Sequence, residues 1–150
     1  MRQMCPMRTR GIIWYEQCEL RYSNQSFFGT VDEVGRTFCS LEDSSVAYAS
    51  ATLDLMTKLV EEAPNRPLFS AAGNQSVGRT ESSYGLVQCT RDLSSEDCRS
   101  CLTKGMVEAS STCRMRRGWR YLSGSCNLRY EKFAFFDASS LSIAATNSGE

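Results

Sequence analysis

The chain has no histidine. That removes Ser-His and Cys-His nucleophile pairs, imidazole metal ligands and any imidazole titrating near neutrality, and most hydrolase chemistry goes with them. Net charge is absent too, with 17 Lys and Arg against 17 Asp and Glu. No overall field therefore draws the chain to nucleic acid or anionic lipid. Long hydrophobic runs are missing: nothing approaches the roughly 18 apolar residues of a membrane span. The N-terminal stretch from Met1 to Arg10 has basic residues without the apolar run of about 7 to 15 that a secretory signal needs.

What is there is 150 residues, 41% hydrophobic and 23% charged, enough for one ordinary domain or one domain and a fragment. Eight of the residues are cysteine. That density points to an oxidising compartment or to a Cys-only zinc site. Cys98-x-x-Cys101 could present two thiolates to one ion, but a second CxxC is lacking, and the βαβ setting of a thioredoxin-like motif is lacking as well. A disulfide framework is the stronger reading, with no metal and no cofactor.

The sequence repeats itself. Cys5-Pro-Met7-Arg8 aligns with Cys113-Arg-Met115-Arg116, and the same register of 108 residues, the distance from Cys5 to Cys113, holds without a gap. It brings Cys18 onto Cys126, Leu20-Arg21-Tyr22 onto Leu128-Arg129-Tyr130, and Phe27-Phe28 onto Phe135-Phe136. Residues 1–33 are therefore expected to be the C-terminal hairpin of a first domain that has been cut. Residues 34–137 would be a complete second copy, and 138–150 a tail or linker. A signal peptide would have been lost with the missing part.

Within the second copy, Val46, Ala49, Leu53, Met56, Leu59 and Val60 recur at helical steps, started by Asp43 or Ser44 and stopped before Pro64. A Pro/Asn/Gly-rich loop follows, then a strand over Tyr84–Cys89. Ser94, with Asp97 three residues on, opens a second helix carrying Cys98, Cys101, Leu102, Met106 and Ala109 on one face. Trp119–Leu122 and Cys126–Tyr130 read as a hairpin. Ile12–Tyr15 with Cys18–Tyr22 is its counterpart in the first copy, expected to pack through Ile12, Ile13, Trp14 and Phe27 against the second. The order predicts an α+β domain, helices on one face of an antiparallel sheet.

The stretch Tyr84-Gly-Leu-Val-Gln-Cys89-Thr-Arg-Asp-Leu-Ser94-Ser-Glu-Asp-Cys98-Arg-Ser-Cys101, closed by Cys126-Asn-Leu-Arg129-Tyr130-Glu131, resembles the plant ginkbilobin-type antifungal domain. That domain occurs in cysteine-rich repeat secretory proteins and in cysteine-rich receptor-like kinase ectodomains. The resemblance implies two helices on a five-stranded antiparallel sheet stapled by disulfides. It selects Cys39 to Cys113, Cys89 to Cys98 and Cys101 to Cys126 from the roughly 15 connectivities that six cysteines allow. Cys5 and Cys18 are left without family partners.

It also implies a mannose-type site made by an Asn, an Arg and a Glu, whose positions here hold Ser40, Arg120 and Glu131. An arginine fork beside a carboxylate suits sugar hydroxyls, but a serine hydroxyl does not replace an amide. Weak or absent mannose binding is expected, with Arg120 and Glu131 forming a surface ion pair across the hairpin. Arg114, Arg116, Arg117 and Arg120 lie among Trp119 and Tyr121, a mixture nucleic-acid binders use. Strand alternation puts the aromatics on one face and Arg120 on the other, which argues against such a role. Asn24 and Asn74 open N-glycosylation sequons. Nothing assembles into a catalytic site. The expectation is a secreted, apoplastic, non-enzymatic module recognising a carbohydrate or an extracellular protein. The competing expectation is a piece of a receptor-like kinase ectodomain that signals through domain packing.

Overall fold

The computed structural model describes residues 7–16, 18–32 and 34–137. In chain order the elements are strands β1 (Arg10–Trp14), β2 (Glu19–Ser23) and β3 (Gly35–Cys39), helix α1 (Val46–Glu62), strands β4 (Ser70–Val77) and β5 (Glu81–Cys89), helix α2 (Ser95–Thr112), and strands β6 (Trp119–Ser123) and β7 (Cys126–Glu131). Strands β3-β6-β7-β5-β4 form one antiparallel sheet, and β1-β2 a separate two-stranded ribbon. The expected α+β architecture, two helices on a five-stranded antiparallel sheet held by disulfides, is the one found.

Helix α2 begins as the sequence indicates: the Ser94 hydroxyl accepts from the Asp97 N–H at 3.1 Å, relieving one of the donors a helix start leaves unpaired. Helix α1 starts one residue later than expected. Ser45 is its cap, accepting from the Tyr48 N–H, because Asp43 is drawn into a bridge with Arg116. Its buried stripe is also turned. Tyr48, Thr52, Leu55, Met56, Leu59 and Val60 are interior, whereas Val46 is 75% and Leu53 48% exposed. A tyrosine ring reaches the sheet from a position the apolar periodicity passed over.

Strand β4 replaces the expected loop. Its residues, Ser-Ala-Ala-Gly-Asn-Gln-Ser-Val, have little intrinsic strand preference, yet they pair with β5 from Ser70 opposite Gln88 to Val77 opposite Glu81. Small residues are needed there because α1 lies close on the sheet: a Cβ at Gly85, opposite Gly73, would stand 2.7 Å from Met56 Sδ. The core between helices and sheet is filled by Leu55, Met56, Leu59, Leu102, Val87, Leu128, Trp119, Tyr121 and Tyr130, all nearly inaccessible to solvent. Cys39 is bonded to Cys113, Cys89 to Cys98 and Cys101 to Cys126. The two cysteines of the CxxC thus serve different bridges.

The β1-β2 ribbon repeats features of β6-β7 at the register of 108. Arg21 stacks on Phe27 at 4.2 Å as Arg129 does on Phe135 at 4.2 Å. The Tyr22 hydroxyl donates to the Arg8 carbonyl and that of Tyr130 to the Arg116 carbonyl. Met7 and Met115 both sit in the left-handed region, at φ 58° and 57°. The ribbon does not extend the large sheet. It docks on the β6–β7 turn: Trp14 Nε1 donates to the Ser123 carbonyl at 3.2 Å, Arg21 to that of Gly124 at 3.0 Å, and Ile12 lies against Gly124. Downstream, the Gly29 N–H donates to Asp92 and the Asp32 N–H to the Ser125 hydroxyl. Ile13, alternating with Ile12 and Trp14, falls on the ribbon's other face, and the Arg21 guanidinium lies over the Phe27 ring.

Candidate functional site

The sheet has an inner face against the helices and an outer face free of them. Trp119 and Tyr121 point inward, 5% and 1% exposed, and a Cβ on Gly105 of α2 would strike Tyr121 and Leu128. Alternation then puts Arg120 and Leu122 of β6, and Asn127, Arg129 and Glu131 of β7, on the outer face. The registers line these positions up in rows. Phe38 lies opposite Arg120, Arg120 opposite Arg129, and Arg129 opposite Leu86. In the next row the Ser40 N–H bonds the Gly118 carbonyl at 2.8 Å. The Glu131 carboxylate overlies Gly118, so close that a Cβ there would meet Glu131 Oε2 at 2.6 Å.

Ser40, Arg120 and Glu131 therefore share the outer face in adjacent rows, with glycine between Ser40 and Glu131. Their hydrogen bonds run elsewhere. The Ser40 hydroxyl accepts from the Glu42 N–H at 3.2 Å. The expected ion pair between Arg120 and Glu131 is not formed: Glu131 accepts from Arg129 Nε at 3.0 Å, and Arg120 donates to both carboxylate oxygens of Glu16, at 2.9 and 3.1 Å. Arg129 also donates to Glu16. The register explains the change, since Arg120 faces Arg129 directly and two guanidiniums in one row require carboxylates from outside it. Glu16 supplies one from the β1–β2 connection, and the two arginines hold its carboxyl below the usual range. Nothing in the sequence marked Glu16, because its role depends on where the ribbon docks.

Two more arginines of the basic cluster are also engaged. Arg116 pairs with Asp43 at 2.8 Å and Arg117 with Glu81 at 2.5 Å. With Trp119 and Tyr121 buried, the cluster presents no aromatic surface for stacking bases. Cys18 is exposed and carries no disulfide among the described residues; Cys5 lies outside them. Asn24 and Asn74 are both exposed, Asn74 on the edge strand β4. No helix among the described residues is long and apolar enough to cross a membrane.

Residues 38–133 match the family model for salt stress response/antifungal proteins. The chain is 39% identical over 137 residues to an antimicrobial ginkbilobin-2-like protein of Castanea crenata, covering 89% of this chain and 57% of that protein. It is 39% identical to cysteine-rich repeat secretory protein 38 of Arabidopsis thaliana, over 90% of this chain and 55% of the relative. Cysteine-rich receptor-like protein kinase 29 of the same plant is 32% identical over 90% of this chain, which spans 21% of the kinase. The chain thus spans about half the length of the secretory relatives. In fold it is similar to the tandem DUF26 ectodomain of the Arabidopsis thaliana cysteine-rich receptor-like protein PDLP8, with a TM-score of 0.77 at 22% identity, covering 89% of this chain and 62% of that one.

Proposed function

This chain belongs to the salt stress response/antifungal family, and from that premise we propose that it is a secreted, non-enzymatic recognition module that binds carbohydrate on the outer face of its sheet. Its relatives are secretory proteins and receptor-like kinases, so an oxidising, extracellular setting suits its three disulfides. The observation that carries the reading is the common face and adjacent rows of Ser40, Arg120 and Glu131, with bare Gly118 beneath the carboxylate. A hydroxylated ligand lying there would meet donors and acceptors of both kinds.

Binding of a neutral hexose is weak in this reading. Ser40 offers one hydroxyl where an asparagine would offer two donors and an acceptor, and a sugar hydroxyl left unpaired on burial costs about 1–3 kcal/mol, roughly ten- to hundredfold in affinity. Calorimetric titration with mannose is expected to give weak or no binding for the parent, a gain of that size for Ser40→Asn, and loss of the gain when Arg120→Ala is added. No gain in Ser40→Asn would remove these positions as a site. Tight binding by the parent would overturn the role given to Ser40.

A second reading, a piece of a receptor-like kinase ectodomain that signals through domain packing, is favoured by the docked ribbon. Its features recur 108 residues on, which supports taking residues 1–33 as the end of a preceding copy. Joining the chain to the membrane span and kinase of such a relative, and testing for ligand-dependent phosphorylation, separates the two readings.

A further inference from the structure

Beside the row just described, the outer face deepens into a cleft of about 640 Å³, within the range of small-ligand sites. One wall is the β1–β2 connection with Trp14, Tyr15 and Glu16. Phe135 and Phe136, just after β7, also line the cleft. The floor is β6, β7 and β5, strands whose backbone groups are already paired with neighbours on both sides. A peptide thus finds no free edge to pair along, and an occupant must be read by side chains. Those of the floor include Arg120, Arg129, Asn127 and Gln88. The two carboxamides make no hydrogen bond to other described residues. Each therefore offers donors and an acceptor, the pairing that sugar hydroxyls need, in a cleft also lined by Trp14, Tyr15 and Phe136, whose rings suit a sugar's apolar face.

The two guanidiniums differ from a structural pair in how they are neutralised. Arg129 is 14% exposed and holds Glu131, its neighbour two residues along the strand. The carboxylate shared by Arg120 and Arg129 comes from Glu16, 63% exposed on a short connection. Exposed pairs of this kind are individually weak. Glu16 is thus a replaceable carboxylate seated on two arginine forks at the mouth of a polar cleft.

We propose that this cleft binds a carboxylated sugar, a uronate unit of an oligosaccharide, whose carboxylate displaces Glu16 from Arg120 and Arg129 while its hydroxyls meet Asn127 and Gln88. The inference rests on the carbohydrate reading above and narrows it to acidic sugars. The remaining charges lining the cleft are Arg91, Glu19 and Asp137. With Glu16 displaced, Arg91, Arg120 and Arg129 face Glu19 and Asp137, with Glu131 still paired to Arg129.

The test titrates the full oxidised chain calorimetrically with trigalacturonate, with trimannose as the neutral probe and triglutamate as the acidic peptide probe. Trigalacturonate is expected to bind best. Glu16→Gln, which removes the competing carboxylate, should tighten it about two- to tenfold and leave trimannose unchanged. Arg120→Gln should weaken it about tenfold or more. Asn127→Leu should weaken trigalacturonate but not triglutamate. Circular dichroism melts check that the variants fold, and Glu16→Gln, an exposed change, keeps the question open to refutation if Arg120→Gln does not. Equal affinity for acidic and neutral sugars, or no gain in Glu16→Gln, overturns the proposal. Preference for triglutamate overturns it in favour of an acidic protein partner. If Ser40→Asn binds mannose while trigalacturonate is ignored, only this inference falls; if no sugar binds any variant, the carbohydrate reading falls with it.

Discussion

Two carboxyl groups hold the ribbon side of the molecule with opposite pH signatures. Burial raises the Asp92 carboxyl, but the Gly29 N–H at 2.7 Å and the Thr90 hydroxyl outweigh it and bring it below its usual range. A depressed carboxyl stabilises the folded form above its unfolded value, about 3.9, and that support is lost as pH falls through the folded value. Asp92→Ala should therefore speed amide exchange at Gly29 and Thr30 near neutrality, costing at most about 1 kcal/mol at this exposed contact. The difference from the parent should fade below about pH 3.9. Glu19 works the other way. Burial raises its carboxyl despite the Trp14 indole and Arg21 nearby, so ionisation opposes folding as pH rises through the folded value. Glu19→Gln should raise the melting temperature by about 1–2 °C at pH 7, a gain that shrinks as pH falls through the raised folded value and is gone below about 4.3.

The helices answer to different constraints at their ends and in their middles. The Ser94 cap is local, and Ser94→Ala should cost about 1 kcal/mol in chemical denaturation, with the fold unchanged. Gly105, in the middle of α2, is set by contact. A Cβ there would stand 2.5 Å from Tyr121 Cδ1 and 2.8 Å from Leu128 Cδ1. In an isolated helix Gly→Ala stabilises, but here the helix must lift from the sheet. Gly105→Ala is expected to destabilise by about 1–3 kcal/mol. A stabilised variant would show that α2 does not lie as close as these distances require.

For the whole molecule, the domain from β3 to β7 has its own core, and the ribbon adds polar contacts at the β6–β7 turn and a few apolar ones. Deleting residues 1–33 is expected to leave a cooperatively unfolding domain with a modest loss of stability. If that fragment fails to fold, the division at residue 33 is wrong. The Cys39–Cys113 bridge closes a separation of 74 residues, which in the chain-entropy account contributes about 4 kcal/mol. Replacing both cysteines with serine should lower the melting temperature far more than the ribbon deletion does. Oxidised protein should weigh about 6 Da less than its reduced form for three bonds, at about two hydrogens each.

The sequence by itself determined the fold class, α2 with its cap, both hairpins and the inward direction of Trp119 and Tyr121, because each rests on local periodicity or on a capping residue whose partner lies within four residues. It also carried the repeat, since a register of 108 needs only identity at matched positions. Tertiary structure decided what depends on distant neighbours. Strand β4 exists because β5 pairs with it and α1 demands small residues, neither of which is written in Ser70–Val77. The buried stripe of α1 turned toward Tyr48 because the sheet, not the helix's own pattern, sets where a large ring fits. Ser40, Arg120 and Glu131 were legible as positions, but their partners were not: Arg120 faces Arg129 across the β6–β7 register, and the carboxylate that joins them comes from Glu16, more than a hundred residues earlier in the chain. That pairing follows from how the ribbon docks, a contact between segments that no local pattern encodes.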